Sequence, residues 1–265
     1  MKHILVPVDL SKNSKEALRY AVHLAKKNNA TITIVHFYSL LMKAVIHTTE
    51  KGYTEKNPEK WIQKRIKKIK AKQPGINVSF SIMKGDAEDS IRRAVGTTGA
   101  DLLIMGCQGA EENTKTYLGA TSCAIIMTAK IPVIIIPPRY RFQGLKHIAF
   151  AAIRSYVKDE KTLAPLQYFI HTYSPHIQFL SLGEEHPEMP EGHFSFMPLV
   201  EATTRYGNDS FNASINEYIG LHEVDLLCVI RRKKGFLEKT IGPKRTLASK
   251  LNIAVPVLVL VGAGH

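Results

Sequence analysis

The sequence has few of the features that mark secreted, membrane-spanning or disulfide-rich proteins. Only three cysteines occur in 265 residues, Cys107, Cys123 and Cys228, and no Cys-x-x-Cys pair is present. That number is too small for a disulfide framework, and we interpret Cys107 as a small buried side chain rather than a reactive thiol. No apolar run approaches the roughly 18 residues that a membrane-spanning helix needs. The apolar stretch after Met1 is too short for a signal peptide. We therefore expect a cytoplasmic globular protein with no membrane partner.

Motifs of several common enzyme classes are also lacking. The chain has no Walker P-loop, no Gly-x-Gly-x-x-Gly, no His-Glu-x-x-His and no Gly-x-Ser-x-Gly. Its eleven histidines show no metal-ligand spacing. We accordingly predict no catalytic residues and no metal site.

Positive charge is in excess, with 36 lysines and arginines against 23 acidic residues. Much of it lies in residues 58–72, where basic residues alternate with Trp61, Ile62, Ile66 and Ile69 at helical spacing. This pattern predicts an amphipathic helix with a solvated basic face. A shorter basic run at 231–234 is placed in a loop. Neither run carries a zinc-finger or aromatic RNA-binding signature, so nucleic acid is not expected as a partner and general duplex binding is the weakest hypothesis.

The chain repeats itself once. The matching segments are Lys2–Val6 with Lys146–Phe150, Ala100–Ile104 with Val224–Cys228, and Ile131–Ile136 with Val255–Leu260. The offset falls from 144 to 124 residues between the first pair and the other two, so the second copy is the shorter one. The proline- and glycine-bracketed segment Pro138–Gly144 separates the copies. We predict two tandem domains, residues 1–139 and residues 144–265.

Apolar strands alternate with helices in each copy. The elements predicted in the first copy are strand Ile4–Val8, helix Ser14–Asn28, strand Thr31–Phe37, helix Pro58–Lys72, strand Asn77–Met83, helix Glu88–Thr97, strand Leu102–Met105, a short helix and strand Val133–Ile136. This alternation predicts an α/β fold with a parallel sheet covered on both faces. In the second copy a strand is predicted at Phe194–Val200, and no equivalent of the basic helix is evident before it.

A glycine-containing loop follows the strand Leu102–Met105. Ligands of open α/β sheets bind outside the carboxyl ends of strands, which is where this loop begins. Gly106 and Gly109 permit left-handed backbone and close approach, and Gly119 opens a helix whose free N–H groups favour an anion. Thr121 and Ser122 add hydroxyl donors there. An ordinary strand–loop–helix connection stays open as the simpler interpretation.

Asp9, which closes the first strand in Val6-Pro7-Val8-Asp9, and the Gly-x2-Gly-x9-Gly spacing of this loop resemble the universal stress protein family. Gly85-Asp86-Ala87-Glu88 ahead of a helix, and the segment Ile131-Pro132-Val133, fit the same family. The resemblance covers the chain as a tandem of two such domains and is strongest in residues 1–139. It implies two parallel five-stranded open sheets of a Rossmann-like, adenine nucleotide alpha hydrolase-like type, the second shortened.

The resemblance implies a site for ATP or AMP, with or without Mg²⁺, in the first domain. Its residues are Pro7, Val8, Asp9, Phe37, Met105, Gly106, Gly109, Gly119, Ala120, Thr121 and Ser122. Asp9 would accept hydrogen bonds from the ribose or base, Phe37 would line the adenine pocket, and the glycines would admit the phosphates. Ala120 stands where the family has Ser or Thr. One hydroxyl is therefore missing, and we expect affinity in the micromolar range, about −8 kcal/mol.

The second copy lacks most of these parts. Ile153 takes the place of Asp9, Ala151 that of Pro7, and Ile230–Gly235 that of the paired glycines, with only Gly242 matching the third. We predict a degenerate, nucleotide-free copy, although its basic run offers a second contact for phosphate.

Two hypotheses follow. The first is a stress-response regulatory protein that binds an adenine nucleotide and hydrolyses ATP slowly or not at all. Asp9 with Glu111 and Glu112 offers Mg²⁺ ligands, but solvated loop acids are the simpler interpretation. The second is a nucleotide-free scaffold of the same fold that binds an unidentified protein, which Ala120 favours.

The apolar strands that end each copy, Val133–Ile136 and Val257–Val261, are candidate sheet edges that need covering, and the resemblance implies that they pair antiparallel. In the family such strands pair between domains, so this pairing would join the two copies into an intrachain pseudo-dimer. The resemblance also allows a homodimer.

Overall fold

The computed structural model describes residues 1–38, 57–107, 118–152, 160–182, 200–206, 211–231 and 254–262. In these ranges it contains ten strands and six helices. The strands are β1 His3–Pro7, β2 Thr31–Tyr38, β3 Val78–Lys84, β4 Leu102–Gly106, β5 Val133–Ile136, β6 His147–Ala152, β7 His176–Leu182, β8 Val200–Tyr206, β9 Leu226–Arg231 and β10 Val257–Val261. The helices are α1 Lys12–Asn28, α2 Pro58–Lys72, α3 Ala87–Thr98, α4 Ala120–Thr128, α5 Glu160–Tyr173 and α6 Phe211–Leu221.

The predicted elements of the first half are present. The bounds of α2 and β5 are those predicted, and the other bounds differ by at most two residues. The strand predicted at Phe194–Val200 overlaps β8 only at Val200, and residues 194–199 lie outside the described ranges, as does the connection in which a helix was expected to be missing.

The ten strands form one sheet in the order β3-β2-β1-β4-β5-β10-β9-β6-β7-β8. Every neighbouring pair is parallel except β5 and β10. Read from either edge to the centre, the two halves have the same order of equivalent strands. The α/β class with parallel sheets is therefore confirmed, while the limits 1–139 and 144–265 stay a prediction.

The two halves of the sheet meet at the β5–β10 pair. Val257 lies opposite Ile135 and Leu258 opposite Ile134, in antiparallel register. The predicted pairing of these two strands is confirmed. Because each strand would otherwise end its own sheet, the pairing removes two apolar edges from solvent.

The sequence repeat is reproduced in the contacts at the amino ends of the strands. The Asp101 carboxylate accepts hydrogen bonds from the main-chain N–H groups of Lys2 and His3. Asp225 accepts from the equivalent groups of Lys146 and His147. The strand registers agree as well, since Ile4 faces Leu102 and Ile148 faces Leu226. The alignment of the two copies is therefore correct at these positions.

Local sequence signals explain where the helices begin. Ser11 caps α1 by accepting from Ser14 N at 3.0 Å, Asn57 caps α2 by accepting from Lys60 N at 3.1 Å, and Asp86 caps α3. These are the residue types that satisfy the orphan N–H groups of a first turn. Among the described residues, no helix combines the length and the apolar character needed to cross a membrane.

The sheet is covered on both faces, as predicted. One face, which we call face A, carries α1, α2 and α5 through buried residues such as Leu24, Ile62 and Phe169. The opposite face, face B, carries α3, α4 and α6 through residues such as Ile91 and Ile125. Both apolar layers continue from the first half into the second, so the junction is part of the core.

Leu258 tests how much this junction contributes to stability. Its side chain is fully buried on face A, at a paired position of β10. Leu258→Ala should lower the free energy of unfolding by about 2–5 kcal/mol, because removing a buried Leu loses its transfer free energy and leaves a cavity. Denaturant unfolding measures the change.

The matched control is Leu221→Ala, since Leu221 is 70% exposed. Its effect should stay within about 0.5 kcal/mol. Equal effects of the two substitutions would contradict a packed junction.

Candidate functional site

The strand order places a topological switch point, which we call the crevice, between the carboxyl ends of β1 and β4. β1 lies between β2 and β4, and the chain reaches these two strands through helices on opposite faces. The β1–β2 ladder extends to Pro7 opposite Val35, whereas the β1–β4 ladder ends at Leu5 opposite Leu103. Such a switch point is where open α/β sheets bind their ligands.

Asp9 lies at the edge of this crevice, directly after β1. Its Oδ1 accepts a hydrogen bond from Ser11 N at 3.0 Å, and its Oδ2 has no hydrogen-bond partner among the described residues. Leu10, between them, has a φ of 65°. Left-handed backbone is strained for leucine, so the turn is held by its surroundings, which include the partly buried packing of Leu10 on face A. The half-buried carboxylate is thus fixed at the start of α1.

Pro7 and Val8 support this turn from inside the protein. Pro7 is buried and Val8 is 1% exposed. The Val8 N–H donates to Val35 O at 2.8 Å, and its carbonyl accepts from His36 Nδ1 at 2.7 Å. Both main-chain polar groups of Val8 are therefore engaged by β2, which limits the adenosine contact expected of this residue.

His36 is a site residue that the sequence reasoning missed. Because a carbonyl oxygen only accepts, the proton in this bond must be on Nδ1. The only signal was its place immediately before Phe37, near the end of β2. Phe37 itself is half-buried against the core of face B, and Met105 belongs to that core.

Gly106 does not adopt the left-handed backbone that the sequence suggested, but it does allow the predicted close approach. It is not among the positive-φ residues, so its backbone does not require glycine. A Cβ at this position would lie 2.5 Å from Asn13 Oδ1 and 2.7 Å from Asn13 Cγ. Asn13 is buried, and its Nδ2 donates to Ile136 O at 3.1 Å. The missing side chain thus makes room for the first turn of α1.

The start of α4 is tied to the end of β4. Gly119 is the N-cap, with a φ of −68° and no side-chain cap, and its N–H donates to Cys107 O at 2.7 Å. Ser122, predicted as a donor to ligand, instead donates its hydroxyl to Gly106 O at 3.1 Å. This buried hydroxyl therefore docks the helix against β4, and its role toward a ligand stays a prediction.

The first turn of α4 presents main-chain donors. In any α-helix the first N–H groups have no intrahelical acceptor, and here these belong to Ala120, Thr121 and Ser122. Thr121 is exposed, so its hydroxyl lies on the solvent side of this turn. Gly109, Glu111 and Glu112 lie in residues 108–117, outside the described ranges.

The cysteines near the crevice are buried and unreactive. Burial raises the pKa of the Cys107 thiol to about 12 and that of Cys123 to about 11. Both are therefore protonated at neutral pH, when only the thiolate is nucleophilic. The interpretation of Cys107 as a buried side chain is confirmed.

Arg231 holds the other end of α4. It is the last residue of β9, in the second half, and not a loop residue as the basic run suggested. Its guanidinium donates from Nη1 to Ile126 O and from Nη2 to Ala129 O, the latter at 2.7 Å. A cation at the carboxyl end of a helix is favourable because that end carries partial negative charge. One side chain thereby links the second half to the helix that borders the crevice.

Gly106→Ala tests the contact with Asn13. The added methyl group should lower the free energy of unfolding by about 1–3 kcal/mol, because α1 and β4 must move apart. Gly96→Ala is the control, since a Cβ there meets nothing within 4 Å. In the interior of α3 it should stabilise by about 1 kcal/mol. Equal stability of the two variants would contradict the packing described.

Arg231→Ala tests the link between the halves. We expect a loss of about 1.5–3 kcal/mol of stability in denaturant unfolding, because two charge-assisted hydrogen bonds disappear. Arg92→Ala removes an exposed ion pair with Asp89 and should change stability by less than about 1 kcal/mol. A loss at Arg231 no greater than that at Arg92 would show that the guanidinium does not hold α4.

Comparison with known proteins agrees with this architecture. The sequence model of the Universal stress protein family matches residues 1–137. Universal stress protein MJ0531 of Methanocaldococcus jannaschii is 26% identical over 140 residues, covering 51% of this chain and 81% of that protein. Universal stress protein YxiE of Bacillus subtilis is 27% identical over 146 residues, covering 50% of this chain and 97% of that protein.

Solved structures extend the likeness in fold to nearly the whole chain. A universal stress protein from Archaeoglobus fulgidus has a TM-score of 0.66 at 18% identity, covering 98% of this chain and 96% of its own. A functionally unknown protein from Pseudomonas aeruginosa has a TM-score of 0.67 at 13% identity, covering 99% of this chain and 93% of its own. With the family match spanning the half that contains the crevice, the chain belongs to the universal stress protein family.

Proposed function

We propose that the protein is a stress-response regulator that binds an adenine nucleotide, ATP or AMP, at the crevice between β1 and β4. Turnover there is slow or absent. One observation carries the proposal: α4 begins without a side-chain cap, one hydrogen bond from the end of β4. Uncapped N–H groups at a helix start, next to the carboxyl edge of a parallel sheet, suit a phosphate group.

The phosphates and the ribose of the ligand would contact different elements of the fold. The phosphates would accept from the main-chain N–H groups of Ala120 and Thr121 and from the Thr121 hydroxyl. Asp9, at the end of the neighbouring strand, would accept from the ribose hydroxyls through its Oδ2, which no described residue contacts by a hydrogen bond. Adjacent strands lie about 4.8 Å apart, so one mononucleotide spans both groups.

Binding is proposed for the first half only. Arg231, the basic residue at the matching strand end of the second half, is already bound to carbonyls of α4. Ala151, in the place of Pro7, is buried. The second half would therefore act on the site through α4 and not by binding a nucleotide of its own.

A nucleotide-free scaffold is the second candidate. It is favoured by the protein groups that already use parts of the crevice. Asn13 fills the space beside Gly106, and the Ser122 hydroxyl is bound to the main chain. In that case the same fold would serve only to bind other proteins.

The substitution Gly119→Asp should change the stability of the protein and its affinity for ATP in opposite directions. The new carboxylate should cap the first turn of α4 and so raise stability, by a few tenths to about 1 kcal/mol. The same carboxylate repels phosphate and occupies its donors, so the affinity for ATP measured by calorimetry should fall at least about tenfold, or 1.4 kcal/mol.

Gly75→Asp is the control, since Gly75 is exposed and a Cβ there meets nothing within 4 Å. It adds the same charge away from the crevice and should leave ATP affinity unchanged. If Gly119→Asp binds ATP as tightly as Gly75→Asp, the phosphates do not bind at α4. If the wild-type protein shows no saturable binding at millimolar ATP or AMP, the scaffold hypothesis is the correct one.

A further inference from the structure

An open groove of about 640 Å³ runs between α2 and β3, at one edge of the sheet. Its lining includes Ile66, Lys67 and Lys70 from α2 and Val78, Ser79 and Phe80 from β3. We call these six residues the edge groove. Ile66, Val78 and Phe80 are partly buried against the core of face A, whereas Lys67, Lys70 and Ser79 are exposed. The groove therefore has an apolar floor and a basic rim.

Beside this groove, the outer main-chain edge of β3 is unpaired within the part of the chain that the structure describes. β3 ends the sheet, and no described strand pairs with its outer side. Gly85 N donates to Tyr38 O in β2 at 3.1 Å. Because N–H directions alternate along a strand, the N–H of Ile82, three residues earlier, points to the open side. Natural edges are normally blunted by charge or proline, yet β3 has neither before Lys84.

The charge of α2 is not balanced by its own residues. The helix carries seven basic residues and one acid, Glu59, which accepts a hydrogen bond from Gln63. On the side of α1 more cations are close together: the nearby Arg19 lowers the pKa of Lys15, with further lowering from burial and from Arg65 and Lys68. Like charges crowded on one helix repel one another, and an acidic ligand beside Lys67 and Lys70 would lower that repulsion along α2.

We propose that the edge groove binds an extended acidic segment of a partner protein, which adds to β3 as a further strand. Its main chain would pair with the outer edge of β3. On the side facing α2, alternate side chains would meet the apolar floor and the two lysines. Strand addition of this kind takes its affinity from main-chain hydrogen bonds and its specificity from alternate side chains.

The combination of features favours a peptide over other anions. A nucleic acid or a lipid headgroup would use the lysines but would leave the main-chain edge of β3 and the apolar floor unused. Only a second polypeptide in extended form would use the lysines, the main-chain edge of β3 and the apolar floor together. The edge groove is separate from the β1–β4 crevice, so this proposal does not depend on nucleotide binding.

The test uses a labelled peptide of about seven residues, Val-Ser-Glu-Ser-Val-Ser-Glu, long enough to pair with all of β3. Its Val and Glu residues alternate at every second position, so both kinds of side chain face α2. Fluorescence anisotropy with the whole protein, without nucleotide, should show saturable binding. A peptide of the same composition with its Glu and Val residues in two blocks should bind at least about tenfold more weakly. An oligonucleotide and vesicles containing anionic lipid are titrated in parallel.

Two charge-reversal variants locate the site. The double substitution Lys67→Glu with Lys70→Glu should weaken binding of the alternating peptide at least about tenfold. Lys64→Glu with Lys68→Glu makes the same change of charge at exposed positions that do not line the groove, and should weaken it by less than about threefold. Ile82→Pro removes one outward N–H of β3 and should also weaken binding, with circular dichroism confirming the fold.

Three results would overturn the proposal: no saturable binding of the alternating peptide to wild type, equal losses in the two charge-reversal variants, or tighter binding of the oligonucleotide or the vesicles than of the peptide. The charge-reversal pair decides the matter even if Ile82→Pro does not fold.

Discussion

Helix α4 is held at both ends, and the proposed function depends on this. At its start, the Gly119 N–H and the Ser122 hydroxyl bind carbonyls at the end of β4. At its end, the Arg231 guanidinium binds two carbonyls of the last turn. A helix fixed in this way presents its first N–H groups in one direction without further ordering. Donors that are already in place lose little entropy when an anion binds.

The same contacts give the second half of the chain a structural role. It continues the sheet through β5 and β10, extends both apolar layers, and supplies Arg231 to the helix beside the crevice. A copy that is predicted to bind no nucleotide can therefore still be required for the proposed site in the other copy.

Much of the fold could be predicted from the sequence because it depends on local patterns. The spacing of Trp61, Ile62, Ile66 and Ile69 predicted helix α2, whereas the β5–β10 pair was predicted from the family resemblance. The site was less predictable. The contact between Gly106 and Asn13 joins residues 93 positions apart, and the glycine pattern alone cannot tell a helix from a phosphate as the neighbour.

Arg231 and His36 were missed for a similar reason. In the sequence, Arg231 is the first of four consecutive basic residues. That run does not predict a hydrogen bond to carbonyl groups of a helix in the other half of the chain. His36 is one polar residue in a strand, and its bond to Val8 follows only from the pairing of β2 with β1. Side chains that act across strands or across halves are therefore the part of the site that requires the structure.

The central claim is that the first turn of α4 binds the phosphates of an adenine nucleotide. Its most direct test is amide NMR of the whole protein during titration with ATP. The claim predicts that the largest downfield shifts, which report new hydrogen bonds to the N–H groups, occur at Ala120, Thr121 and Ser122, with a smaller change at the turn around Asp9. Saturation with ATP that leaves these amides unshifted would contradict it.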